Sequence, residues 1–145
     1  MENLAFRRRL IRAFGSFHGW AYEASGGRWG GLLQGLPMAL LHVVGRKSGQ
    51  PRPTALLCMH DGEDVVVVAS FYGSEKHPAW YRNALANPDF DVRVGRRRYR
   101  VHARTASPEE REKLWPRLVE FYPGYAVYQS RTPREIPVVI LSPAA

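Results

Sequence analysis

The sequence predicts a mainly β protein with helices (α+β), in which about six antiparallel strands close wholly or partly into a barrel. Three observations carry this. Apolar runs of strand length recur from Met38 to Leu141, glycine marks the hairpin corners at Gly49, Asp61-Gly62 and Gly95, and two proline-opened helices begin at Pro78 and Ser107-Pro108. At 145 residues the chain suits a single domain that buries roughly two thirds of the surface its unfolded form exposes.

Residues 3 to 23 place Phe6, Leu10, Ala13, Phe14, Phe17, Trp20 and Ala21 at helical three-and-four spacing, with Arg7, Arg8, Arg9 and Arg12 mostly off that stripe. This is a basic amphipathic helix over 1–24. It either lies against the barrel or makes a peripheral contact with an anionic membrane through residues 1–20. Glycines 26, 27, 30, 31 and 35 make 25–37 a connector, and the barrel is expected over 38–142.

Met38–Val44 and Thr54–Met59 read as buried strands joined by the turn "GRKSGQPR", with the second strand expected over about 53–60. Asp61-Gly62 then leads into Val65–Ala69, a run apolar enough to be buried on both faces. A helix from Pro78 stops before Pro88. Val92 and Val94 alternate with charge, Gly95 turns the chain, and Tyr99, Val101 and Ala103 alternate again. Ser107-Pro108-Glu109-Glu110 is a capping-box helix start, and Pro116 is expected to break or restart that helix. Pro137–Leu141 supplies the last strand.

The single cysteine, Cys58, excludes an internal disulfide, and no His or Cys stands at metal-ligand spacing, so no metal is expected. No apolar run is long enough to span a bilayer as a helix, and no secretion signal is evident, which together point to a cytoplasmic protein, with a peripheral place at the inner face of the membrane as the variant. Twenty-one Lys plus Arg against 13 Asp plus Glu give a formal charge of +8. Such a balance favours anionic partners: a phosphorylated cofactor, nucleic acid or an acidic lipid surface.

Three stretches could carry chemistry. In "GRKSGQPR", residues 45–52, Arg46, Lys47 and Arg52 add charged donors to the backbone N–H groups of a glycine turn. The plain reading is a polar hairpin turn with Gly49 at positive φ; the functional one is an anion site. It is not a Walker A loop. In "ASFYGSEKHPAWYRN", residues 69–83, a strand passes through a glycine loop into a helix, a corner that could hold an aromatic ring beside Trp80. Core packing is the plain reading of Trp80 and Tyr81. In "FYPGYAVYQSRT", Tyr122, Tyr125 and Tyr128 recur every third residue and could line a cleft from one helix, or simply pack it. The histidines are scattered, and no serine stands in a nucleophile elbow.

These words, in this order and with "VVVAS", "ANP", "LWP" and "YPGYAVYQSRTPREIPVV", resemble the deazaflavin-dependent nitroreductases, oxidoreductases that use coenzyme F420. The resemblance covers about Leu40 to Leu141. It implies an FMN-binding-like split β-barrel and hydride transfer from reduced F420 to a small electrophilic acceptor such as a quinone, an activated alkene or a nitro compound. It places Arg46, Lys47, Ser48, Gly49, Gln50, Arg52 and Thr54 on the cofactor's phosphate and acidic tail, and Ala69, Ser70, Phe71, Ala79 and Trp80 around the deazaflavin ring. Leu57, Tyr122, Tyr125 and Tyr128 fall on the substrate side, with Ser70, Tyr122 and Tyr125 as candidate catalytic donors. The chain departs from the family pattern at His42-Val43-Val44 and at Phe71-Tyr72, where members often carry Lys-Gly or similar. An FMN enzyme on a related barrel is the alternative. A nucleic-acid module built on Arg96-Arg97-Arg98-Tyr99-Arg100 is the third reading, and no nucleic acid is expected.

Overall fold

The computed structural model describes Leu32–Leu33 and residues 36–144. The helix expected over 1–24, with its membrane contact, lies outside the described residues, as does most of the 25–37 connector.

Strands β1 (Leu32–Leu33) and β2 (Leu36–Leu41) form a short hairpin, and β3 (Thr54–Leu57) returns along β2 with Met38 opposite Leu57 and Leu41 opposite Thr54. β4 (Met59–Asp61) and β5 (Asp64–Val68) meet at Gly62, whose φ of 61° suits a residue without a Cβ. After a 3₁₀ turn at Phe71–Gly73 come α1 (Ala79–Ala86), β6 (Asp89–Val94) and β7 (Arg97–Thr105). Helices α2 (Pro108–Phe121) and α3 (Gly124–Ser130) precede β8 (Val138–Pro143).

The pairings run β2–β6–β7–β8–β5–β4, all antiparallel, and β3 pairs with the free edge of β2. Because β3 and β4 are consecutive, one bent segment closes the ring. Among the described residues the wall thus has seven strands, β2 to β8, rather than about six. The strand expected over 53–60 is split at Cys58, where the backbone leaves β2 for β5; the Cys58 N–H donates to the Pro37 carbonyl at 3.0 Å. The bent segment covers the outer edge of β2 with β3 and that of β5 with β4, which limits the strand edge left open to water.

The valine strand separates two apolar layers. Val65 and Val67 face the barrel interior with Leu41, Val92, Val101 and Leu141, whereas Val66 and Val68 face outward beneath Leu114, Leu118, Tyr125 and Ile136. Burial on both faces explains why β5 carries no polar alternation. Each such side chain contributes about 1.5–3 kcal/mol of transfer free energy.

Helix α2 starts at the predicted capping box. Ser107 Oγ accepts from the Glu110 N–H at 3.2 Å, and the Glu110 carboxylate accepts from the Ser107 N–H at 3.0 Å. Pro116 does not break the helix, contrary to the sequence expectation: α2 runs unbroken to Phe121. Leu114 and Leu118, both buried on either side of the proline, anchor the turn that its missing N–H weakens.

Candidate functional site

The basic turn is closed by backbone bonds from Gly45 N–H to the Gln50 carbonyl (2.8 Å), Gly49 N–H to the Gly45 carbonyl (2.8 Å) and Arg52 N–H to the Val43 carbonyl (2.8 Å). A Cβ on Gly45 would lie 2.6 Å from Ser48 Oγ, and Ser48 Oγ in turn accepts from the Gln50 N–H. Thr54 Oγ1 donates to the Arg52 carbonyl. The turn is therefore a fixed shape with Arg46, Lys47 and Arg52 exposed on it. Among the described residues none of the three meets a carboxylate.

A residue outside the three basic and aromatic sets fixes this turn. Asn83 of α1 is 5% exposed, and its Oδ1 accepts from both the Arg46 backbone N–H (3.1 Å) and the Arg46 guanidinium (3.0 Å). An asparagine in mid-helix is otherwise unfavourable, and that position is the only signal the sequence held for it.

At the other end of α1 lies the loop expected to hold a ring. Ala69 is fully buried, with its N–H on the Pro137 carbonyl, and Ser70 is half-buried. Phe71, Tyr72 and Gly73 then take φ of 45°, 56° and 76°. The left-handed region costs a non-glycine residue roughly 1–2 kcal/mol, so two such residues in succession need outside support. Arg134 supplies it: its guanidinium donates to the carbonyls of Ser70 (2.8 Å), Ser74 (2.8 Å) and Ala69 (3.4 Å) and to His77 Nδ1 (3.0 Å). Since Arg134 cannot accept, His77 Nδ1 is the unprotonated nitrogen. Partial burial, with Arg134 and then Arg82 nearby, holds the His77 pKa below its ordinary value of 6.5. Of the helix-start residues, Ala79 is exposed and Trp80 is 7% exposed, its indole packed in the barrel core against the edge of Tyr81.

The tyrosines do not share one helix as expected. Tyr122 is the extended residue that caps α2, while Tyr125 and Tyr128 belong to α3. Pro123-Gly124 folds the chain so that the three rings still meet: a Cβ on Gly124 would lie 2.6 Å from the Tyr122 ring. Ring centroids are 5.0 Å apart for Tyr122–Tyr125 and 6.3 Å for Tyr122–Tyr128, and the Tyr122 and Tyr128 hydroxyls are 3.3 Å apart. Tyr125, 5% exposed, sits in the outer apolar layer, and burial pushes its phenol well above the ordinary range. The Tyr128 phenol is also raised, by burial first and then by the Tyr122 hydrogen bond. Leu57 is half-buried on β3, the strand that leaves the basic turn.

The structure thus joins the three stretches through α1 and α3. Asn83 ties the basic turn to α1, and Arg134 ties the loop before α1 to the segment after α3. Tyr72 and Tyr128 make an edge-to-face pair at 5.6 Å. Among the described residues no cluster of three or more His, Cys, Asp or Glu could hold a metal, and no helix is long and apolar enough to cross a membrane.

The family model for F420H(2)-dependent quinone reductases matches residues 16–143. The chain belongs to that family. An F420H(2)-dependent quinone reductase of Mycobacterium tuberculosis is 40% identical over 129 residues, which cover 86% of this chain and 87% of that protein. A solved F420-H2-dependent reductase is 41% identical with a TM-score of 0.68, covering 73% of this chain and 94% of its own. The Vibrio cholerae heme storage protein HutZ, 12% identical at a TM-score of 0.56 over 74% of this chain and 82% of that one, shares the fold alone. The quinone reductase family and its split barrel therefore stand where the resemblance put them.

Proposed function

We propose that this protein is an F420-dependent oxidoreductase that reduces a small quinone-type acceptor, and that the residues described above divide the task between tail, ring and acceptor. The observation that supports this division is the basic turn: three exposed cations, free of carboxylate partners among the described residues, on a loop whose shape is fixed from α1. That donor set fits a phosphate and a chain of carboxylates, where each charge-assisted bond contributes about 1.5–3 kcal/mol.

F420 in its reduced form supplies the hydride. The protein's share is placement, exclusion of water and stabilisation of the oxygen on which charge develops. Arg46, Lys47 and Arg52, with Ser48, Gly49, Gln50 and Thr54 shaping the turn, hold the tail. Ser70, Phe71 and Ala79 border the ring. Ala69 and Trp80 back them from the core. Ser70 Oγ and the phenol pair of Tyr122 and Tyr128 stand as hydrogen-bond donors to the acceptor; one hydroxyl of the pair donates to the other, which leaves one phenol proton for the acceptor. Tyr125, nearly enclosed, shapes the wall, and Leu57 lines the acceptor side from β3.

Fluorescence titration with oxidised F420 beside FMN tests the assignment. Binding of F420 at micromolar concentration with weaker FMN binding is expected; the reverse order would make this a flavin enzyme. We place the protein in the cytoplasm, and the arginine-flanked stripe of residues 3–23 supports a peripheral membrane contact. Failure of the full chain to sediment with anionic vesicles at low salt would remove that contact.

A further inference from the structure

We propose that Tyr72 is a specificity-determining residue that offers one face of an aromatic clamp to a planar, fused-ring quinone. This rests on the acceptor-side assignment of the tyrosines given above. Tyr72 is 52% exposed, large and apolar, on a loop that the rest of the fold holds in place. Its own backbone is at φ 56° and ψ 26°, a left-handed conformation that an aromatic residue rarely adopts and that asparagine or glycine would take with less strain. Strain of this kind persists where neighbours over-determine it. Here Arg134 holds the carbonyls of Ala69, Ser70 and Ser74, and Arg131 Nη1 lies 3.4 Å from the Tyr72 carbonyl.

The next residue fixes the loop's distance from α3. A Cβ at Gly73 would fall 2.5 Å from the Tyr128 carbonyl and 2.9 Å from Arg131 Cβ, so the loop lies hard against the end of α3. The consequence is that the Tyr72 ring stands edge-to-face on Tyr128 at 5.6 Å and 69°, while the Arg131 guanidinium lies 5.6 Å from the centre of the Tyr128 ring. Tyr128 thus has both a cation and the Tyr72 ring as neighbours, and half of the Tyr72 surface is left open to solvent. A flat π-system is the ligand chemistry that such an exposed ring recognises, and its contact grows with the number of fused rings.

The Tyr72→Asn variant removes the ring while keeping a residue suited to the left-handed backbone, and Tyr72→Phe keeps the ring. Three readings are taken on each: F420 affinity, acceptor KM, and equilibrium-dialysis affinity of a naphthoquinone and a benzoquinone for the complex with oxidised F420. For Tyr72→Asn we expect naphthoquinone Kd and KM to rise roughly 2- to 12-fold, with a smaller rise for benzoquinone, F420 affinity within about twofold of wild type, and all values restored in Tyr72→Phe. Unchanged naphthoquinone binding in a variant that still binds F420 would overturn the role of Tyr72. Parallel loss of F420 and quinone binding would also overturn it, by showing that the ring supports the cofactor loop. Wild-type protein that binds no F420 would instead overturn the reading on which the proposal rests.

Discussion

Lys47 shows how a single side chain can be read from sequence alone and Asn83 how one cannot. A lysine between an arginine and a serine on a glycine turn already suggests an anion, because charge and exposure are local properties. Asn83 acts across 37 positions of chain on Arg46, and Arg134 acts across 64 on Ser70; neither partner can be inferred until the fold brings them together. Lys47→Ala and Arg52→Ala should each weaken F420 binding about 10- to 150-fold without changing Tm, measured by fluorescence titration and thermal melts, and added salt should weaken wild type more than either variant. Equal loss of a tail-less deazaflavin fragment would show that they serve the ring site instead. His77 gives a pH dependence. Its folded pKa lies below 6.5, so the unfolded chain takes up the proton first as pH falls. The stability carried by neutral His77 is present above about pH 6.5 and fades as pH drops through the lowered value, when a charged ring would face Arg134 and Arg82. The protection factors of the amides of residues 70–77, that is, their exchange rates set against the intrinsic rates at each pH, should fall below pH 6.5 in wild type and lose that dependence in His77→Gln.

Among the elements, those set by local rules matched expectation and those set by tertiary pairing did not. Ser107-Pro108 predicted the start of α2 because a cap is chemistry within one turn. The division of the 53–60 strand at Cys58 depends on which neighbours each half finds, β2 or β5, and no local signal marks it. Likewise the unbroken passage of α2 through Pro116 follows from Leu114 and Leu118 being held by the outer apolar layer. The tyrosine triplet was legible as a cluster and illegible as geometry, since the bend at Pro123-Gly124 moves Tyr122 off the helix. The cap itself makes a quantitative test. Arg104 donates twice to Glu110 (2.6 and 2.8 Å), and with the Ser107 N–H this holds the Glu110 carboxyl at about 2 against an ordinary 4.5. Its contribution is present above pH 4.5 and lost as pH falls towards 2, and solvent screening at this exposed site keeps it small. Ser107→Ala should lower stability by about 1 kcal/mol at pH 7, and Glu110→Gln should destabilise at pH 7 but converge on wild type in melts near pH 2. A Glu110→Gln deficit that persists unchanged at that pH would place its role in packing.

On the scale of the whole molecule, alternation, turn glycines and proline-opened helices were enough to anticipate an antiparallel barrel, because those patterns repeat around the entire ring. Which segment would close it was not visible, and the answer, residues 54–61 bent at Cys58, has a use of its own. The chain's one thiol is fully enclosed at that seam, and burial pushes its pKa up to about 12. A disulfide reagent such as DTNB can reach it only when the ring parts, so the rate of thiol trapping clocks the opening of the barrel without any label added. Ligand that binds only the closed form slows the clock by mass action: F420 at 100 times its Kd should retard trapping about 100-fold, equivalent to about 2.7 kcal/mol. Trapping that proceeds at the same rate with and without saturating F420 would mean that the seam opens while the cofactor stays bound.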